Sequence, residues 1–435
     1  MTVAAPNRYL ASLLAGQPQL PASPLAWFND LRSHAVDRVG ALSVPTTRDE
    51  EWRFTDISPL TGIPFHPVRG GSKPDIAQLA EFILTEAGAR LVFVDGEYAP
   101  LLSFNNTGIT VTSLASGLAS HGTVIEPHLG RHAEFQSNAF AALNTAFLHD
   151  GAIVIAPRNV AVSAPLHVLH VATQKGAASY PRCLVIAEPG SVVTVVEEFV
   201  ALQNDVYFTD AVTEIVLADG ARVHHVRVQR ESGQAFHVSN CAISLGRASH
   251  YQSVSVALGA RISRCNLNVV QTAEGVECAI DGLALVAEQQ LADTHTCIDH
   301  AQPHGVSRQL HKCIVDGAAR AVFNGKILVR QGAQRTDSSQ SSRNLLLTSK
   351  ARVDTKPQLE IFADDVKCAH GATVGQLDSD EVFYLMSRGF PEAAARNLLT
   401  YAFGAEVISR IPVASLRHKL EQRVLAQTNS QSVSK

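Results

Sequence analysis

What this chain lacks narrows its class before any motif is read. No apolar run reaches the roughly 20 residues that a membrane-spanning helix needs. The opening residues, Met1-Thr2-Val3-Ala4-Ala5-Pro6-Asn7-Arg8, lack a charged segment followed by a continuous apolar core, so no export signal is expected. The seven cysteines are an odd number without close spacing, which argues against a secreted disulfide framework. A net charge of -4 gives no electrostatic ground for binding nucleic acid. No G-x-x-x-x-G-K-[ST] loop occurs: Gly325-Lys326 has neither an upstream glycine loop nor a following Ser or Thr, so any ATP must be hydrolysed by another chain. The expectation is a soluble cytoplasmic protein. At 435 residues it exceeds a typical single domain, although a solenoid can grow to this size as one unit.

The hydrophobic period changes twice along the chain. Residues 24–42 place Leu25, Phe28, Leu31, Ala35 and Val39 at helical spacing, and residues 74–87 repeat the pattern with Ile76, Leu79, Phe82 and Ile83. The run Arg90-Leu91-Val92-Phe93-Val94, stopped by Asp95-Gly96, reads as a strand. From Gly151 to about Val366 the period is two: Val254, Val256 and Leu258 alternate with Ser253, Ser255 and Ala257, and Cys265, Leu267 and Val269 with Arg264, Asn266 and Asn268. That alternation makes core packing the expected role of Cys265. Turns are expected at Pro189-Gly190, Asp219-Gly220, Gly246, Gly259, Gly275 and Asp281-Gly282. Many short strands without intervening helices imply a sandwich, a barrel or a β-helix, and periodicity does not choose among them.

Helix returns at the end. Asp378 or Ser379 caps a short helix through Ser387, Gly389 ends it, and Pro391 opens another that reaches about Arg410 with Leu398, Leu399, Ala402 and Val407 on one face. After Pro412, Leu416, Leu420 and Val424 form a stripe. Residues from Thr428 onward read as disordered. The expected division is residues 1–148 as a helical and mixed α/β domain, 149–376 as the β core, 377–427 as a helical domain and 428–435 as a tail.

The chemistry is concentrated in Lys367-Cys368-Ala369-His370-Gly371-Ala372-Thr373-Val374-Gly375. Residues two apart on an extended strand point to one side, so Cys368 and His370 can offer a thiolate and an imidazole to one spot, a donor pair suited to Zn, Cu or an iron-sulfur species. One Cys and one His do not close a four-ligand site, and a half-buried Cys is often a small hydrophobe. A second ligand-rich segment holds His295, Cys297, His300, His304, His311 and Cys313. Its spacing fits no zinc finger or ribbon, and strand alternation scatters the side chains, so structural or solvent-facing roles are expected. The pairs Glu197-Glu198 and Asp364-Asp365 are adjacent, so the members of each face opposite sides of a strand and neither is a two-carboxylate catalytic site; a solvated surface is expected for both.

The run from Ala321 to Pro412 carries Ala321-Val322-Phe323-Asn324-Gly325-Lys326-Ile327, Asp337-Ser338-Ser339-Gln340, Asn344-Leu345-Leu346-Leu347, Ala363-Asp364-Asp365-Val366-Lys367-Cys368 and His370-Gly371-Ala372-Thr373-Val374-Gly375. With Glu51-Trp52-Arg53-Phe54-Thr55-Asp56 near the start, and Phe140-Ala141-Ala142-Leu143-Asn144-Thr145-Ala146-Phe147 followed by Gly151, the chain resembles the SufB/SufD family of iron-sulfur cluster assembly proteins, on its SufD side. SufB-like chains carry a Glu directly after the motif histidine and a cysteine upstream; here Gly371 stands in the first place, and no Cys lies within residues 341–345.

The resemblance implies a mainly β fold, a right-handed parallel β-helix core flanked by N-terminal and C-terminal helical domains. It implies a non-catalytic scaffold subunit that pairs with a SufB-like paralogue through the β-helix and offers its C-terminal helices to a SufC-like ATPase. His370, and less strongly Cys368, would then be metal ligands to a nascent iron-sulfur cluster, transient and shared with SufB, with none held stably by this chain alone. Phe383, Tyr384, Arg388, Leu398 and Tyr401 are the expected partner-binding residues. Whether the chain self-associates without SufB stays open. Two other classes compete: a standalone metal-dependent enzyme using a ligand set between His295 and Cys313, and a β-helix carbohydrate enzyme with converging carboxylates.

Overall fold

The computed structural model describes residues 6–67 and 73–429. The N-terminal part contains helices α1 (Pro6–Leu14), α2 (Ala26–Ala41), α3 (Ser58–Thr61), α4 (Leu114–Ile125) and α5 (Ala139–Ala146). Among them lie the short strands β1 (His66–Pro67), β2 (Ala89–Val94), β3 (Glu97–Tyr98), β4 (Phe104–Asn105) and β5 (Thr110–Ser113). A long β region follows: β6 (Ala152–Ala156), β7 (Leu166–Ala172), β8 (Ala177–Ser179), β9 (Arg182–Ala187), β10 (Val192–Ala201), β11 (Phe208–Leu217), β12 (Arg222–Arg230) and β13 (Phe236–Leu245). It continues through β14 (His250–Ala257), β15 (Ile262–Gln271), β16 (Glu277–Val286), β17 (Leu291–His300), β18 (Val306–Val315), β19 (Arg320–Val329), β20 (Asp337–Leu346), β21 (Arg352–Ile361) and β22 (Lys367–Gly375). Helices α6 (Ser379–Ser387), α7 (Glu392–Ile408) and α8 (Ala414–Asn429) close the described chain.

From β9 to β22 the chain alternates between two sheets, and from β11 onward each strand pairs in parallel with the strand two places before it. This is a parallel β-helix, the architecture that resemblance singled out from the three left open by periodicity. Gly190 and Gly220 sit at positive φ, +71° and +67°, in corners where a side chain would be strained. Asp281-Gly282 departs from the expected turn and lies inside β16. Its glycine is there for space, since a Cβ at Gly282 would stand 2.1 Å from the His311 ring.

The two inner sheet faces meet in a core of Val193, Val195, Ile215, Val223, Ile243, Tyr251 and Val269. Outside one sheet, α2 and α5 bring Ala35, Val39, Phe140 and Leu143 onto Phe208, Phe236 and Val238. Outside the other, Val407, Ile408, Ile411, Leu416, Leu420 and Val424 bury against Val226, Val254, Val256, Leu310 and Ile314. Each such side chain contributes roughly 1.5–3 kcal/mol when taken from water. Asp378 caps α6 by accepting from the Asp380 N–H, and Gly389 ends it at φ +92°.

Two expectations fail locally. Residues 74–87 form successive turns instead of a helix: the Leu79, Ala80 and Phe82 N–H groups reach back three residues, while Leu79 and Phe82 bury against Val92 and Leu169. The apolar spacing there serves a short docking segment that ends at Gly88, whose N–H donates to Pro165 O. At the other end α8 continues through Thr428 to Asn429, where disorder was expected, and the remaining tail, residues 430–435, lies outside the described residues.

Candidate functional site

Strand β22 is the last rung of its sheet and, among the described residues, pairs only with β20. Its register places His370 above Gln340, Gln309, Ile280, Ser253, His225 and Val195, a column whose lower members all face the solenoid interior. Cys368 ends the neighbouring inward column above Ser338, Ser307, Cys278 and Tyr251. Both motif side chains therefore belong to the inward set of β22, as spacing by two requires. Their surroundings differ. Cys368 is half-buried against Ile327, Val329, Ala333 and Ala363, and burial raises its thiol pKa, which keeps it in the protonated, poorly ligating form. His370 is exposed at the open end.

The lumen just below is polar. Gln340 Nε2 donates to Gln309 Oε1 at 2.8 Å, and Gln309 Nε2 donates across the interior to Thr296 Oγ1 at 2.8 Å. His311 stacks on Phe323 with centroids 4.5 Å apart. His300 Nε2 lies 2.9 Å from Ser307 Oγ, which lies 2.6 Å from Ser338 Oγ. Burial depresses the pKa of both His300 and His311 to about 4, so they are neutral at pH 7.

The ligand-rich segment is divided between the two faces. His300, His311 and Cys313 point inward, whereas His295 and Cys297 face a cleft of about 540 Å³ that Trp52, Asn138 and Arg264 also line. Among the described residues, no group of three or more His, Cys, Asp or Glu side chains is placed to hold a metal ion.

That cleft explains the Glu51-Trp52 motif. Arg264, 2% exposed, lies 4.0 Å from the Trp52 ring centroid and donates to Glu51 O at 2.7 Å and Asp293 Oδ2 at 2.6 Å. His295 bridges Glu51 at 3.2 Å and Asp293 at 3.1 Å, and Thr55 Oγ1 also donates to Asp293. Burial opposes ionisation of Asp293, but Arg264 and His295 outweigh it and hold its pKa at about 2. The motif thus pins the N-terminal segment to the outer face of the solenoid.

Of the expected partner-binding residues, Phe383 and Tyr384 are 70% and 57% exposed on α6, with the Arg388 guanidinium 5.3 Å from the Tyr384 ring centroid. Leu398 on α7 is exposed, while Tyr401 is partly buried against the cluster beneath α7 and α8. Asp364 and Asp365 are on the surface, as expected.

Glu197 and Glu198 overturn the expectation of a solvated pair, being 1% and 0% exposed. Glu197 turns into the lumen, where His225 Nε2 stands 3.1 Å away, His170 Nε2 3.8 Å away, and Thr213 Oγ1 donates to both carboxylate oxygens. Glu198 faces outward to Arg230 at 2.7 Å and His167 at 3.0 Å, in a region covered by the docked segment around Phe82. The adjacent acids do face opposite sides of the strand, but both sides are covered. The signal that could have found this was the set His167, His170, His225 and Arg230, each on a neighbouring strand two residues from the register partner of its acid and so on the same face.

A parallel β-helix whose open end presents an inward-column histidine defines a class of elongated, edge-exposed β-solenoid proteins. The chain matches the model described as "SUF system FeS cluster assembly, SufBD core domain" over residues 170–403 and "SufBD protein N-terminal region" over residues 7–168, and it belongs to the SufBD family, on the SufD side. It is 43% identical over 411 residues to an iron-sulfur cluster assembly SufBD family protein of Synechocystis, covering 91% of this chain and 90% of that one. It is 33% identical over 386 residues to the iron-sulfur cluster assembly protein SufD of Escherichia coli, covering 88% of each. To SufD of Bacillus subtilis it is 27% identical over 410 residues, covering 91% of this chain and 92% of that protein.

Proposed function

We propose that this chain is a cytoplasmic, non-catalytic scaffold subunit of a SufBCD-type complex. Its open solenoid end pairs with a SufB-like paralogue, and α6 with the start of α7 receives a SufC-like ATPase. His370 is this chain's ligand to a nascent iron-sulfur cluster shared across the SufB interface, with Cys368 in a packing role beneath it.

The observation that carries the reading is the position of His370: exposed on the terminal rung, which pairs with β20 on one side, at the end of a column whose other members are buried. A single imidazole needs further donors for a metal site, and the open end is where a second chain can bring them. The exposed Phe383, Tyr384 and Leu398 surface supports a second interface on the C-terminal helices.

Anaerobic reconstitution tests the proposal, using this chain alone and with SufB and SufC, and comparing wild type with His370→Ala by iron and sulfide content. The expected result is a cluster in the full complex, little iron on the isolated chain, and a loss of cluster in the variant. Stoichiometric metal on the isolated chain, unchanged in His370→Ala, would refute it and direct attention to residues 295–313.

A further inference from the structure

Gln340 Oε1, His311 Nε2 and Asn344 Oδ1 are buried near the mouth of the lumen without a hydrogen-bond partner among the described residues, and of these Gln340 stands directly beneath His370. Gln340 is 3% exposed and donates its amide N–H downward to Gln309, which donates in turn to Thr296, so this part of the chain of bonds runs away from the open end. Gln340 Oε1 is buried and has no hydrogen-bond partner among the described residues. A buried carbonyl left without a donor is costly and rare in a native fold.

The fold also makes room for this side chain. A Cβ on Gly325, across the lumen, would stand 2.2 Å from Gln340 Nε2, so a side chain there would push the amide out of this position. The next residue in the same inward column is His370, one strand spacing away, about 4.8 Å between backbones.

We propose that Gln340 is the positioning residue for His370: when the open end closes against the partner, Gln340 Oε1 accepts the N–H of one ring nitrogen and leaves the other, with its lone pair, directed at the cluster. This rests on the reading of His370 as a cluster ligand. A ligating imidazole generally donates its other N–H to an oxygen acceptor, which fixes tautomer and ring orientation. An amide oxygen suits that task because it does not titrate. With its N–H donated to Gln309 Oε1, the Gln340 amide has its oxygen left for a donor other than Gln309.

The test uses the assembled complex carrying Gln340→Met, Gln340→Glu or His370→Ala. Its readouts are iron and sulfide content, the imidazole-nitrogen coupling in the electron-spin echo of the reduced cluster, and the thermal midpoint. The expected result for Gln340→Met is a several-fold loss of cluster with altered nitrogen coupling in what remains. Gln340→Glu retains an acceptor oxygen, which Gln309 can meet by turning its amide, and is expected to restore both readouts. Should the methionine variant not fold, Gln340→Asn withdraws the oxygen by one methylene and is expected to show the same loss. Wild-type content and coupling in Gln340→Met, alongside loss in His370→Ala, would overturn the positioning role alone. A loss in Gln340→Met with unchanged coupling and no recovery in Gln340→Glu would reduce Gln340 to packing and also overturn it. No effect of His370→Ala would instead remove the reading on which the proposal rests.

Discussion

Nε2 of His225 stands 3.1 Å from Oε2 of Glu197 in the middle of the solenoid, and each side chain is 1% exposed. Burial opposes ionisation of Glu197, but the nearby His170 and His225 rings outweigh it and hold the carboxyl far below its ordinary range. Burial first, and this carboxylate second, push the neighbouring thiols of Cys183 and Cys241 well up, so both are inert packing groups. The lumen therefore has a charged knot in its lower part and a neutral polar mouth.

Removing one member of a buried, hydrogen-bonded charge cluster leaves the others unpaired, which costs roughly 3–5 kcal/mol. Glu197→Ala is expected to lose stability on that scale in urea unfolding. Glu197→Gln, which still offers an oxygen to Thr213, is expected to lose less.

His300 and His311 give the fold a pH dependence. An unfolded histidine takes up its proton near a pKa of about 6.5, whereas in the fold both are held at about 4. Between those values the unfolded state carries more protons, so acidification favours unfolding. The stability present above about pH 6.5 is expected to decline as the pH falls toward 4. Glu197, Glu198, Glu214 and Glu231 all have lowered pKa values and add a second loss below the ordinary carboxylate range. Thermal midpoints between pH 7 and pH 4 measure the histidine part, and His300→Gln is expected to flatten that slope.

Gly282 and His311 are a steric pair. Placing a Cβ 2.1 Å from the His311 ring at Gly282 forces the ring off Phe323. Overpacking of this kind typically costs about 1–3 kcal/mol, so Gly282→Ala should lower the unfolding free energy measured in urea by that order. The double variant with His311→Ala is expected to cost less than the sum of the two single changes, because the clash is gone. Strict additivity would show that the two residues do not compete for the same space.

The difference between what was legible in the sequence and what was not has a physical cause. Alternation identified the strands, and the caps at Asp378, Gly389 and Pro391 located α6 and α7 closely. Alternation also put Cys368 and His370 on one face. It could not tell that the outer face carrying Glu198 is covered, because that cover comes from Phe82, more than a hundred residues earlier. The same limit hid the Gln340 relay, whose partners Gln309 and Thr296 come from two other strands. The periodic segment 74–87 misled for the opposite reason: its apolar spacing matched a helix, while burial of Leu79 and Phe82 is satisfied by single turns.

The C-terminal helices have a buried anchoring face and an exposed aromatic face, and substitutions there should separate likewise. Leu420 is 1% exposed between α8 and the outer sheet face, so Leu420→Ala is expected to destabilise the chain by about 2–5 kcal/mol. Lys312, on β18 beneath α7, reinforces that anchor through Glu406 and the Phe403 carbonyl. In contrast, Val382 is the buried member of α6, and Phe383 and Tyr384 project into solvent. Exposed aromatics of this kind carry much of the energy of an interface when they are buried there, about 2 kcal/mol or more each at a hot spot. The double change Phe383→Ala and Tyr384→Ala should therefore leave the thermal midpoint within about a degree or two, since surface changes rarely exceed about 0.5 kcal/mol. Its affinity for a SufC-like ATPase, measured by calorimetry, should fall at least tenfold. Unchanged affinity would move that interface off α6, and a large drop in thermal midpoint would mean that α6 belongs to the anchor.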